Sequence, residues 1–246
     1  MSKTIVVMTE KGGTGKTTGA REIAGVLSKE YKVLLIDIDF QRNLTKSFEF
    51  DSSKNIYDAI INKDFKNNIV EINDSLDLIP GDLRTRNIDD DLKISIESEI
   101  IIKEQIQKLD GYDYIIIDCR PDLKKIEKNA LIAADIILTP VEPHSFSLEG
   151  FDLLEGFIQS IKSLLKSSVQ HVGYLSRVPN DKSFMEAMGE VTEDYKKVLL
   201  ETVIRENVKL KEASMCSEFV IDYSPRSNGA VDFKNLVKEL NEKYGI

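Results

Sequence analysis

The densest chemistry stands near the start of the chain, in Lys11-Gly12-Gly13-Thr14-Gly15-Lys16-Thr17-Thr18. Three glycines let the backbone curl tightly and aim successive N–H groups at one point, which suits a phosphate chain. A helical pattern opens at Lys16, so the positive end of its dipole points the same way. Lys16 is then placed to meet β- and γ-phosphates, and Thr17 to put its hydroxyl on Mg²⁺. The eight residues from Lys11 to Thr18 are expected to line a nucleoside triphosphate. The common pattern G-x-x-x-x-G-K-[ST] is broken, because its first glycine falls on Glu10, and the loop carries an additional lysine, Lys11.

Three aspartates complete the chemistry. Residues 32–38 read as a strand, KVLLIDI, and Asp37 and Asp39 would share one face of it by period 2. One could polarise an attacking water and the other hold the Mg²⁺ shell. Residues 112–118 read as another strand whose last residue is Asp118, a Walker B pattern that would bind Mg²⁺ directly or through water. Positioning and charge neutralisation do most of the work in phosphoryl transfer, so slow turnover without a partner is expected.

The elements that must hold these residues alternate along the chain. Strand-like runs fall at 5–8, 32–38, 76–80, 112–118, 136–141 and 169–178. Helical patterns fall at 16–29, 92–109, 123–134, 146–166 and 183–200. Near-continuous apolar strands imply burial on both faces and hence a mostly parallel sheet. The expected fold is α/β, a doubly wound sheet flanked by helices, as a single domain over residues 1–246. With 41% hydrophobic residues the 246-residue chain can bury a core. Its net charge is −9, from 33 basic and 42 acidic residues, which excludes a histone-like coating of positive charge. Residues 49–110 hold 15 of the acidic and only 8 of the basic residues, and read as a solvated face. Two cysteines, Cys119 and Cys216, and two histidines suggest a reduced cytoplasmic protein without a zinc site. No apolar run suits a signal peptide or a membrane span.

The loop KGGTGKTT is the deviant P-loop, and with its surroundings it resembles the ParA family of partition ATPases. The likeness extends through VLLIDIDFQRN, DYIIIDCRP, NALIAAD, PVEPHSFSLEG, IRENVKLKEA and YSPRSNGA. The P-loop opens at Lys11, as in the short ParA type, which carries no N-terminal DNA-binding domain. The resemblance implies ATP and Mg²⁺ as ligands, a homodimer assembled on ATP, and Lys11 reaching the other protomer's phosphates. It implies water activation by Asp39, non-specific DNA binding, stimulation by a ParB-like centromere-binding partner, and residence on the nucleoid. Pro225 and the region of Arg177 are candidates for the adenine.

Four positions depart from the family pattern: Thr14, Phe40, Arg42 and Arg120. Arg120 is expected to pair with Asp122, the alternative being a phosphate. For DNA, Arg205, Lys209 and Lys211 are the leading candidates, with Arg205 and Lys209 on one side of a helix. Lys162 and Lys166 form a second pair at the same spacing. A MinD-like positioning ATPase is the nearest rival, and Arg42-Asn43-Leu44 resembles that group. Such proteins end in a basic amphipathic helix. Here lysines and carboxylates balance, and the stripe Val231, Leu236, Val237, Leu240 and Tyr244 suits docking onto the sheet. A cluster-bridging electron carrier lacks its cysteines. A cargo-positioning relative, or a nucleotide-gated regulator with negligible hydrolysis, shares all these residues.

Overall fold

The structure, a computed structural model, describes residues 2–92, 96–143, 148–165, 168–180, 186 and 198–246. Among these, eight strands form one sheet: β1 (Lys3–Val7), β2 (Val33–Asp37), β3 (Val70–Asn73), β4 (Leu76–Ile79), β5 (Tyr114–Asp118), β6 (Ile136–Val141), β7 (Gln170–Val178) and β8 (Leu199–Arg205). Their spatial order is β3-β4-β2-β5-β1-β6-β7-β8. The β3–β4 pair is antiparallel and the other six pairs are parallel. The helices are α1 (Lys16–Leu27), α2 (Ile56–Ile61), α3 (Ile88–Asp91), α4 (Ile101–Ile106), α5 (Lys125–Ala133), α6 (Leu148–Leu165), α7 (Val208–Met215), α8 (Val220–Tyr223) and α9 (Asn228–Tyr244). None is long and apolar enough to cross a membrane.

Strand periodicity sorts the core into two layers. In β1, Ile5 and Val7 pack with Ala20, Ile23, Phe233 and Leu236, the layer of α1 and α9. Val6 and Met8 pack with Ile126, Leu131, Leu154 and Ile158, the layer of α5 and α6. In β5, Tyr114 and Ile116 belong to the first layer, and Ile115 and Ile117 to the second. Asp118 continues the phase of Tyr114 and Ile116, so its carboxylate emerges on the α1 side. Asp37 continues the phase of Val33 and Leu35 and emerges there too. The two are register partners across β2 and β5. The sheet therefore delivers both carboxylates to the foot of the helix that begins at Lys16.

The architecture matches the expected α/β class, with corrections at the edges. Strand β3, with half-buried and exposed residues alternating, is an addition that turns back on β4. The helical pattern at 92–109 resolves into a 3₁₀ turn at Ile96–Glu99 and the short α4. The pattern at 183–200 lies almost wholly outside the described residues, and Leu199 and Leu200 begin β8 rather than end a helix. Lys166 also lies outside them, while Lys162 belongs to α6. The closing helix α9 docks as expected, through Leu236, Val237 and Leu240, but Phe233 is buried and Val231 faces solvent. Glu239 on α9 accepts hydrogen bonds from the backbone N–H of Glu201 and Thr202, at 2.9 and 2.8 Å.

Helix α1 is anchored by Arg21, only 2% exposed. Its guanidinium lies between the rings of Phe48 and Phe219, 5.4 and 5.0 Å from their centroids. It pairs with Glu22 and donates to Ser47 Oγ at 3.1 Å and to Glu218 O at 2.7 Å. Glu22 is just as buried and accepts from Val220 N at 2.8 Å. Removing one member of a buried pair strands the other's charge. Arg21→Met should therefore lower unfolding stability by roughly 3–5 kcal/mol in urea denaturation. An unchanged midpoint would show that the pair holds nothing in place.

Candidate active site

The chain leaves β1 at Val7 and turns into the glycine loop. Gly13 and Gly15 take φ of 83° and 93°, left-handed values that glycine adopts without strain. Gly15 also abuts β7, where a Cβ would stand 3.0 Å from Ser176 Oγ. It caps α1 without any side-chain hydrogen bond, so the first N–H groups of the helix stay available to an anion. Lys16 is nearly buried and folds back, its Nζ donating to Lys11 O at 2.8 Å. Burial lowers its pKa, opposed by the charge of Asp118. Lys11 and Gly12 are exposed, Thr14 is buried, and Thr18 is half-buried on the first turn of α1.

Thr17 Oγ donates to Asp118 Oδ2 at 2.7 Å. The other carboxylate oxygen of Asp118 is buried without a hydrogen-bond partner. Burial raises the Asp118 pKa well above the usual carboxylate range, and Asp37 beside it adds to the rise. An orphaned buried carboxylate oxygen next to a threonine hydroxyl is a good fit to a hard divalent cation. Among the described residues no group of three or more acidic, His or Cys side chains makes a closed metal cage. Thr17 and Asp118 could thus offer a cation two oxygens, and a bound ligand or water would have to supply the rest.

Asp37 is fully buried beside Asp118, but its oxygens are engaged. Oδ2 accepts from Thr45 N at 2.9 Å and Thr45 Oγ at 2.6 Å, and Oδ1 accepts from Asp39 N at 3.1 Å. Strand β2 stops at Asp37, so Asp39 does not share a strand face with it, as the period-2 reading expected. Asp39 instead sits in the following turn, mostly buried, with Oδ1 accepting from Gln41 N at 2.9 Å. The turn ends at Arg42, whose φ of 58° is a left-handed value that glycine adopts more readily.

Arg120 does not pair with Asp122, which binds Lys124 at 2.9 Å. Its guanidinium is buried against Glu127 at 2.6 Å and Asp89 at 3.1 Å. Asp89 is 31 residues away in sequence, and Glu127 only seven.

A cleft of about 550 Å³ opens beside the glycine loop, lined among others by Gly13, Gly15, Thr18, Arg177, Asn207 and Met215. That volume suits a small-molecule ligand. Arg177 donates to Gly13 O at 3.1 Å and pairs with Glu142 at 2.9 Å. Pro225 is exposed in the turn between α8 and α9 and does not line the cleft. Arg205 and Lys209 do not share a helical face. Arg205 ends β8 and is held by Asp232, with Nε to Oδ2 at 3.0 Å. Lys209 lies on α7, pairs with Glu212 at 2.6 Å and stands over the Tyr223 ring. Lys211 is exposed on the same helix, at the rim of the cleft. Sequence reasoning missed Thr45 and Gly81 around Asp37, for which no local motif exists.

Burial holds the Asp37 pKa at about 6, above its ordinary 3.8. The folded chain then binds more protons than the unfolded chain between those values, so this group makes stability fall as pH rises through that window. Asp37→Asn should lack that part of the slope. Urea midpoints taken across the window without Mg²⁺ check this, and parallel slopes for the two proteins would disprove it.

Residues 2–171 match the AAA domain family. The chain is 31% identical to the sporulation initiation inhibitor protein Soj of Bacillus subtilis, over 98% of each chain. It is 33% identical to a ParA family protein of Chlamydia pneumoniae, over 97% of each. A Borrelia burgdorferi plasmid partition protein bound to AMPPNP superposes with a TM-score of 0.83 at 26% identity, covering 99% of this chain and 100% of that one. With its glycine loop, the Thr17–Asp118 pair and this likeness over its full length, the chain belongs to the Soj/ParA family of partitioning ATPases.

Proposed function

We propose that this chain is an ATP-driven partition protein that dimerises on ATP, binds DNA without sequence preference, and lets go after hydrolysis. The observation that carries the reading is the Thr17–Asp118 contact at 2.7 Å, set under the glycine loop with one carboxylate oxygen unpartnered. The triphosphate would lie along Lys11–Thr18, with the base and ribose in the adjoining cleft. Thr17 and Asp118 would hold Mg²⁺, which neutralises charge on the β- and γ-phosphates when bound. Lys16 is poised to exchange its bond to Lys11 O for phosphate oxygens. Asp39, next to this group but off the strand, orients the attacking water and accepts its proton. Asp37 serves through Thr45 and Asp39 N, keeping that loop in place.

Lys11 is half-exposed, 4.0 Å from Glu142, at the same end of the sheet. This position suits a lysine that reaches a partner protomer's phosphates. DNA contact falls to Lys209 and Lys211 on α7: Arg205 is held by the buried Asp232, whereas the Lys209–Glu212 pair lies at the surface, where the lysine can exchange a carboxylate for a phosphate. A ParB-like partner would stimulate turnover, and the nucleoid would be the protein's place of work.

Two experiments test the reading. Asp39→Ala should keep ATP binding and lower kcat by about 100-fold or more, whereas Lys16→Ala should lose ATP binding itself. Nucleotide titration and phosphate release separate the two, and full turnover by Asp39→Ala would refute the assigned role. Binding to random-sequence duplex should require ATP and weaken steeply with salt. Replacing Lys209 and Lys211 by alanine should flatten the log–log salt slope by about 0.9 for each phosphate that is no longer neutralised. Binding that ignores nucleotide and salt would remove DNA from the proposal.

A further inference from the structure

Two unrelated side chains, Phe40 and Arg120, meet the same short segment of chain. It follows β4 and runs from Pro80 to Asp91. Its first residues press on the loop after β2. Gly81 N donates to Thr45 Oγ at 2.7 Å, and that hydroxyl in turn donates to Asp37. A Cβ on Gly81 would stand 2.9 Å from Asp37 Cγ and 3.1 Å from Asp39 O, so the approach needs glycine. Further on, the guanidinium of Arg86 lies 4.7 Å from the Phe40 ring centroid. The last residues bind the loop after β5. Arg120 reaches Asp89 Oδ2 at 3.1 Å and Thr85 O at 3.4 Å, while Asp89 Oδ1 accepts from Ile126 N at 3.1 Å.

One segment thus touches both the loop that carries Asp37 and Asp39 and the stretch that follows Asp118, at Arg120 and Ile126. None of these interactions involves the glycine loop. A buried ion pair such as Arg120–Glu127 adds little net stability, because desolvation offsets attraction. Its planar fork, holding three acceptors at once, fixes geometry instead. We propose that residues 80–91 form a strap that keeps the Asp39 loop in register with Asp118, with Arg86 and Arg120 as its positioning residues. The effect on turnover rests on the ATPase reading above. The effect on loop order does not.

The test uses the full chain without nucleotide and reads hydrogen exchange in the 40–48 segment. Arg86 is exposed, so Arg86→Ala does not threaten folding. Arg120→Lys keeps a cation against Glu127 but cannot span the three acceptors. Each variant should speed exchange in 40–48 by about threefold or more, leaving α9 unchanged. With ATP, kcat should fall by a similar factor while KM stays constant, because the glycine loop is untouched. Unchanged exchange in 40–48, or acceleration spread equally to α9, overturns the strap whatever the turnover. Faster exchange with an unchanged kcat overturns the positioning role. Faster exchange in a chain that never hydrolyses ATP upholds the strap and sinks the ATPase reading instead.

Discussion

Everything in this molecule is arranged around one electrostatic imbalance. Asp37 and Asp118 are buried at neighbouring strand ends, Asp39 in the turn beyond β2, and the nearly buried ammonium of Lys16 stands among them. Burial penalises each charge, and the carboxylates penalise each other. Asp37 and Asp118 accordingly hold their protons more tightly than a free carboxylate, and Lys16 holds its own less tightly. Such a cluster is stable only on a rigid frame and is completed only by added positive charge. The doubly covered parallel sheet provides the frame. Thr17 and the open side of Asp118 offer oxygens to such a charge, and the positive N-terminus of α1 faces the anion that would accompany it.

The frame and its cargo of charge meet through helix α1. Its first turn carries Lys16 and Thr17, and Arg21 on the next turn is clasped between Phe48 and Phe219. Phe48 closes the loop that begins at Asp37, and Phe219 leads into α8. The helix that would face the phosphates is therefore bolted to the carboxylate loop and to the C-terminal layer at once.

Much of this is legible in the sequence, for definite physical reasons. The loop Lys11–Thr18 reads plainly because left-handed backbone demands glycine and phosphate demands lysine. Strands β1, β2, β5 and β6 read as apolar runs because both their faces are covered. What stays hidden depends on contacts between distant residues. Nothing near Arg120 announces Asp89, 31 residues away, and of the two carboxylates that follow, Glu127 rather than the nearer Asp122 is its partner. Arg205 looks helical because α7 follows closely, yet pairing with β7 places it on a strand. The stripe on α9 reads with Val231 in place of Phe233, a phase that only docking onto the sheet decides.

The two margins of the sheet carry a consequence for how copies of the chain can meet. On one side β3 is four residues long, exposes Glu71 and Asn73, and loses register between them. On the other, the N–H groups of Glu201, Thr202 and Arg205 in β8 are already taken by Glu239 and Asp232. A foreign strand finds a short, irregular, charged template on one margin and occupied donors on the other. Among the described residues, both margins therefore disfavour extension of the sheet from chain to chain, the route to fibres. The proposed ATP-dependent pairing, which brings Lys11 to a partner's phosphates, needs no strand edge at all.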